Sequence, residues 1–141
     1  MKMSLDEIQE LREQALDYDL LGADLLCDYT TADLQMICNG IGPDFFPVKL
    51  RKLLNNLHPT LKAAAMIHDL RYYLGQNNWE DFTEANDQLA INGTIAAYER
   101  YRFWDPRRYI VIRQARLFAS LCQAGGWYAY LEAIKQRETK Q

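Results

Sequence analysis

Along almost the whole chain apolar residues recur every three to four positions, and no stretch alternates apolar with polar at period two, which restricts the fold to packed α-helices. Ser4 with Glu7 forms a capping box ahead of Leu5, Ile8, Leu11 and Ala15, so the spacing predicts a first helix over residues 4 to about 17. Gly22 to Tyr29 and Thr31 to Ile37 read as short helical turns. The run Cys38-Asn39-Gly40-Ile41-Gly42-Pro43 reads as a tight loop, because two glycines and a proline interrupt any regular ladder. Pro47 opens a helix through Leu50, Leu53, Leu54 and Leu57, Pro59 breaks it, and Thr60 is placed to cap the next one.

That next helix, residues 61 to 74, carries Leu61, Ala64, Ala65, His68 and Tyr72 on one stripe and stops at Gly75. From Trp79 to about Phe103 a long helix shows two stripes, one with Phe82, Ala85, Leu89 and Ala96, the other with Asp87, Ile91, Ile95 and Tyr98, which predicts burial on two sides. Asp105 and Pro106 look like an N-cap and first helical position of a helix ending near Gly125-Gly126, and Trp127 to about Arg137 forms the last helix. Nothing repeats and no linker divides the 141 residues, so the expectation is a single all-α domain over 1–141.

A chain that is 49% hydrophobic and 25% charged is neither disordered nor fibrous. Its formal charge of -3 provides no global attraction to nucleic acid, which makes nucleic acid an unfavoured partner unless a local patch supplies the contact. Cys27, Cys38 and Cys122 lie far apart and form neither a disulfide framework nor a zinc pattern. The acidic start Ser4-Leu5-Asp6-Glu7 is not a secretory signal, and no apolar run approaches the roughly 20 residues that span a bilayer. The expected setting is therefore cytoplasmic, with no transmembrane segment and at most peripheral membrane contact.

Three features carry chemistry: the glycine loop, the His68-Asp69-Leu70-Arg71-Tyr72 segment, and Asp87 on the following helix. His68 and Tyr72 stand one helical turn apart on the same face, while Asp69 points about 100° away, so one helix can offer a base and a metal ligand side by side. A carboxylate at Asp87 on an apolar stripe requires a partner. His68 on the preceding antiparallel helix is one candidate, and a salt bridge to Arg71 or Lys62 would satisfy it equally.

The order and residues of Cys38-Asn39-Gly40-Ile41-Gly42, His68-Asp69-x-x-Tyr72 and Asp87 resemble the calcium loop, catalytic helix and supporting aspartate of the phospholipase A2 superfamily. More narrowly, Asn39-Gly40-x-Gly42-Pro43, Ile67-His68-Asp69, Tyr72, Gly75, Ala85-x-Asp87 and Asn92 resemble small bacterial and prophage proteins of phospholipase A2-like type. The resemblance covers about residues 38–95. It implies a phospholipase A2-like core of two antiparallel helices with additional N- and C-terminal helices, and a phage-associated setting. It also implies a lipid esterase in which His68 takes a proton from the attacking water, Asp87 orients the imidazole and Tyr72 supports the aspartate. Calcium would be held by the Asp69 carboxylate and the backbone carbonyls of Cys38, Gly40 and Gly42, with phospholipid at a membrane surface as partner.

Elsewhere, Arg100, Arg102, Arg107, Arg108, Arg113 and Arg116 interleave with aromatics. They read as a solvated helix face, with phosphates of lipid or nucleic acid as the alternative contact. Tyr98, Tyr101, Phe103, Trp104, Trp127, Tyr128 and Tyr130 read as core, and His58, beside Pro59, as a surface histidine. The alternative to the enzyme is a non-enzymatic bacterial or prophage accessory module that keeps the scaffold and binds protein or nucleic acid through the basic region.

Overall fold

Ser4 ends the extended N-terminal residues and starts the first helix as its spacing predicts: its hydroxyl accepts from the Glu7 backbone N–H at 3.2 Å. In this computed structural model, which describes residues 2–40 and 45–140, α1 spans Leu5–Asp17 and buries Ile8, Leu11 and Ala15. The Glu7 carboxylate does not close the box on Ser4; it reaches Lys62 at 3.0 Å and ties α1 to the fourth helix. After α1 the chain turns at Gly22, whose φ of +83° is a left-handed conformation that glycine adopts without strain, and enters a 3₁₀ turn over Ala23–Asp28.

A full capping box between Thr30 and Asp33 starts α2, Thr31–Asn39. The helix therefore runs further than its sequence suggests, and Cys38 belongs to its last turn rather than to the loop. Gly42 lies outside the described residues. Pro47 sits just before α3 (Val48–Asn55), and a 3₁₀ turn over Pro59–Leu61 leads into α4 (Lys62–Tyr73). Thr60 is buried there and caps nothing: His58 does so, its Nδ1 accepting from the Thr60 N–H at 3.2 Å. Asn78 caps α5, Trp79–Arg100, which stops short of Phe103 because the chain becomes extended at Tyr101. Asp105 and Pro106 begin α6 (Pro106–Gly125), and α7 spans Trp127–Thr139. All the regular structure among the described residues is helical.

The centre of the fold is α4, which packs against α1, α2, α5 and α7. That position explains its composition. Ala63, Ala64, Ala65, Met66, Ile67 and His68 are all buried in succession, and three consecutive alanines let neighbouring backbones approach from several sides at once. Next to it α5 runs antiparallel, with Tyr72 beside Phe82, Ala64 and Ala65 beside Leu89, and Leu61 beside Ala97.

The two longest helices, α5 and α6, make the most extensive pairing in the molecule. They approach closely at Gly93, where an added Cβ would overlap the Ala115 methyl and press on Leu61. Gly93→Leu is accordingly expected to cost about 1–3 kcal/mol of overpacking, read as a lowered urea midpoint with an unchanged m value. A neutral substitution would mean that α6 can slide away from α5.

Of the second apolar stripe expected on α5, only Ile95 is partly buried against the core. Ile91 is 47% exposed and Tyr98 55%, and Asp87 is exposed too. What α5 buries is the first stripe, Phe82, Ala85, Leu89 and Ala96, widened by Asn86, Asn92, Gly93 and Ala97 into a face built largely from small and amide residues. Asn92 earns its burial by clasping the turn before the 3₁₀ segment, accepting from Leu21 N–H at 2.7 Å and donating to Leu21 C=O at 2.9 Å.

Candidate functional site

His68 lies on the face of α4 turned toward α5, one turn before Tyr72, and the two rings sit 4.1 Å apart between centroids. Both point at one atom. The Asn86 Oδ1 is 2.8 Å from His68 Nε2 and accepts from the Tyr72 hydroxyl at 2.7 Å. Asn86 in turn donates from Nδ2 to Gln123 Oε1 on α6 at 2.8 Å, and Gln123 donates to Thr83 Oγ1 at 3.0 Å. The network thus ties together three helices, and its members His68, Tyr72 and Asn86 are at most 4% exposed.

The predicted pairing of His68 with Asp87 is not the one the fold makes. One residue along an α-helix is a rotation of about 100°, so Asn86 faces α4 and Asp87 faces solvent. Asp87 lines a surface recess of about 370 Å³ beside Arg116 and Ser120. Nor do the alternative cations pair with it: Lys62 bonds Glu7, while Arg71 lies 3.6 Å from Asp81 and donates to Gln88 at 3.0 Å.

A carbonyl oxygen carries no proton, so the Asn86 contact fixes the neutral imidazole as the Nε2–H form and leaves Nδ1 as its unprotonated nitrogen. Burial holds the His68 pKa down to about 4, with the Asn86 hydrogen bond opposing and the Arg71 charge adding to the shift. The ring is neutral at pH 7. Tyr72 is held well above its ordinary value, chiefly by burial, and remains a neutral donor.

Asp69 projects from α4 away from Asn86. It is partly accessible, yet enough protein surrounds its carboxyl for burial to push the pKa up to about 7. Burial, and then the nearby Asp69 charge, raises both the Cys38 thiol at the end of α2 and the Cys122 thiol on α6. The carboxyl therefore lies within electrostatic reach of both thiols. Of the described residues, none makes a hydrogen bond or ion pair with it. The three cysteines are free thiols, Cys27 exposed and the other two buried.

An enclosed but partly accessible carboxyl with no hydrogen-bonding or ionic partner among the described residues could supply one oxygen ligand to a hard cation such as calcium. The other donors named from the sequence are main-chain oxygens. Gly40 C=O accepts from Gln136 Nε2 at 2.6 Å, which leaves it one lone pair. No cluster of three or more His, Cys, Asp or Glu side chains that could hold a metal occurs among the described residues, so a cation at Asp69 would depend on backbone carbonyls.

The two perturbed groups give opposing pH slopes. His68 is depressed below its unfolded value of 6.5, so its contribution to stability is complete above that pH and is lost as pH falls toward 4. Asp69 is raised above 3.8, so its contribution is complete below that pH and is lost as pH rises through 7. Asp69→Asn removes the second slope. In chelator, the variant is expected to exceed wild type in stability at pH 8 by on the order of 2 kcal/mol, after allowance for partial exposure, and to lose that margin at pH 4. Urea unfolding at the two pH values checks it; an equal difference at both would show that Asp69 is not held protonated by burial.

Sequence reasoning missed Asn86, Gln123 and Thr83. A signal existed for the first, because Asn86 lies on the stripe of Phe82, Ala85, Leu89 and Ala96, eighteen residues after His68. The aromatic residues divide in a way that composition did not reveal. Tyr130 is fully buried and Trp127 half-buried, but Tyr98, Phe103, Trp104 and Tyr128 are exposed rather than core. No protein-family model, curated protein or solved structure matches the chain.

Proposed function

We propose that the protein is a phospholipase A2-like ester hydrolase in which His68 Nδ1 takes a proton from water attacking a glycerophospholipid ester. The single observation that supports this most is the shared acceptor: Asn86 Oδ1 receives both the His68 Nε2–H and the Tyr72 hydroxyl, which fixes the imidazole with Nδ1 as the basic atom. Asn86 is a positioning residue, and Tyr72 and Gln123 hold its amide in place from opposite sides. As the attacking water loses its proton the charge moves onto the imidazole, where Asn86 can donate no counter-charge. Hydrogen-bond orientation is then its whole contribution, and the reaction is expected to be slow for its class.

The similarity to phospholipases A2 adds a calcium ion held by Asp69 and the carbonyls of Cys38, Gly40 and Gly42, with the phospholipid at a membrane surface. When bound, that ion would polarise the ester carbonyl and offset charge developing on its oxygen. Its binding must displace the proton that Asp69 holds up to about pH 7, so affinity should rise from pH 6 to pH 8 with release of a proton. Millimolar calcium is expected to raise the melting temperature of wild type at pH 8 and to leave Asp69→Asn unmoved. An identical shift in both proteins would place calcium elsewhere or nowhere.

A second reading is favoured by the same neutral partner. With its pKa near 4 and an amide in place of a carboxylate, His68 is also suited to hold three helices in register within a non-enzymatic module. Absence of hydrolysis together with strong stability coupling between His68 and Asn86 would select it.

A further inference from the structure

We propose that the α5–α6 turn is a membrane-docking tip that inserts Phe103 and Trp104 among lipids and holds anionic headgroups with the arginines around them. The turn is built rather than loose. Tyr109 donates to Phe103 C=O at 2.7 Å, Asp105 N–H donates to Arg102 C=O at 3.0 Å, and Asp105 is clamped by Arg107 at 2.7 Å. A turn held this firmly presents Phe103 at 73% exposure and Trp104 at 65%, with Ile110 at 61% on the first turns of α6. Large apolar side chains fixed in water are unfavourable, and they become favourable where a bilayer covers them.

Charge identifies the occupant. Arg100, Arg102 and Arg107 line a recess of about 340 Å³ together with Tyr101, Asp105 and the tip residue Trp104, in a chain whose formal charge is negative. Of these, Arg107 is already neutralised by Asp105, so Arg100 and Arg102 are the cations that a headgroup phosphate would meet. Single-stranded nucleic acid fits less well. Of the rings around the turn, Tyr101 and Tyr98 are covered by guanidinium groups, Arg107 at 4.7 Å and Arg108 at 4.0 Å, which leaves Phe103 and Trp104 for bases to stack on. Ile110 moreover offers no stacking face. An aromatic and aliphatic tip collared by arginines has the composition of a surface that lies in the lipid interface.

Docking at this tip is independent of hydrolysis. Full-length protein in chelator is mixed with sedimentable vesicles of phosphatidylcholine, with or without about 30% phosphatidylglycerol, where each arginine at the surface contributes on the order of a fivefold gain. Wild type is expected to bind the anionic vesicles at least about tenfold more tightly than the neutral ones. Phe103→Ser with Trp104→Ser should weaken both by about tenfold, and Arg100→Gln with Arg102→Gln should weaken only the anionic set, by about twentyfold. Both variants keep the Asp105 cap, and an unchanged melting temperature confirms that they fold. Equal binding by wild type and the tip variant overturns the proposal, as does tight binding of oligodeoxythymidine with none to vesicles, or a wild-type dimer that the tip variant converts to monomer.

Discussion

Asn86→Leu is expected to destabilise the fold by about 3–5 kcal/mol, more than any other single substitution considered for the site. The side chains are similar in size, so no cavity opens for a replacing water. Two buried groups, the Tyr72 hydroxyl and the His68 Nε2–H, lose their partner together with the half-buried Gln123 Oε1. Each stranded group costs about 1–3 kcal/mol. Because His68 and Asn86 share that cost, the double variant with His68→Leu should lose less than the sum of the single losses, by about 1–2 kcal/mol. Additive losses would mean that the 2.8 Å contact contributes nothing to stability.

The complementary substitution, Asn86→Asp, has the opposite sign on chemistry. A carboxylate can accept from both His68 and Tyr72, and Gln123 can rotate its amide to donate to the new oxygen while Thr83 donates to the other end. A negative charge at that distance raises the His68 pKa from about 4 back toward or above its ordinary range. The chain has only two histidines, so imidazole resonances followed from pH 4 to pH 8 resolve the change directly. Under the proposed function hydrolysis should rise in this variant, since the imidazolium formed during reaction gains a counter-charge. A His68 that titrates as before would show that position 86 does not face the ring.

How the helices could be read from the sequence while the dyad could not has a specific physical cause. Long-period apolar patterning with proline, glycine and capping residues marks where a helix starts and stops, and those signals at Ser4, Asp105 and Pro106 are local. Which face of α5 is buried is set by its neighbours. Close packing against α4 and α6 selects Ala85, Asn86, Asn92, Gly93 and Ala96, residues that count as weakly hydrophobic or polar. The more apolar side chains Ile91 and Tyr98 were left outside. The second stripe, drawn through Ile91, Ile95 and Tyr98, therefore lies off the buried face and takes in Asp87, while Asn86 sits on the first, buried stripe. His68 and Tyr72 were legible as a pair because a four-residue spacing is a property of α4 alone. Gln123, contributed by α6 thirty-seven residues beyond Asn86, carried no such local mark.

The second large effect is on catalysis. His68→Gln keeps a hydrogen-bonding side chain opposite Asn86 and so spares most of the network, but it has no titratable nitrogen to receive the proton of the attacking water. A general base in this role contributes about 10²–10⁴-fold, so the variant should release fatty acid at least about a hundredfold more slowly. Below about pH 4 wild type should also fall, because the base becomes protonated there; between pH 5 and 7 any further rise would follow Asp69, whose proton must leave before a cation can bind.

The most direct measurement is fatty-acid release from mixed phosphatidylcholine and phosphatidylglycerol vesicles by purified wild type and His68→Gln, at pH 8 in millimolar calcium. The expected result is slow, calcium-dependent release by wild type that His68→Gln lacks while melting cooperatively. Release at the same rate by both proteins, or by neither, would contradict the assignment of His68 as the base.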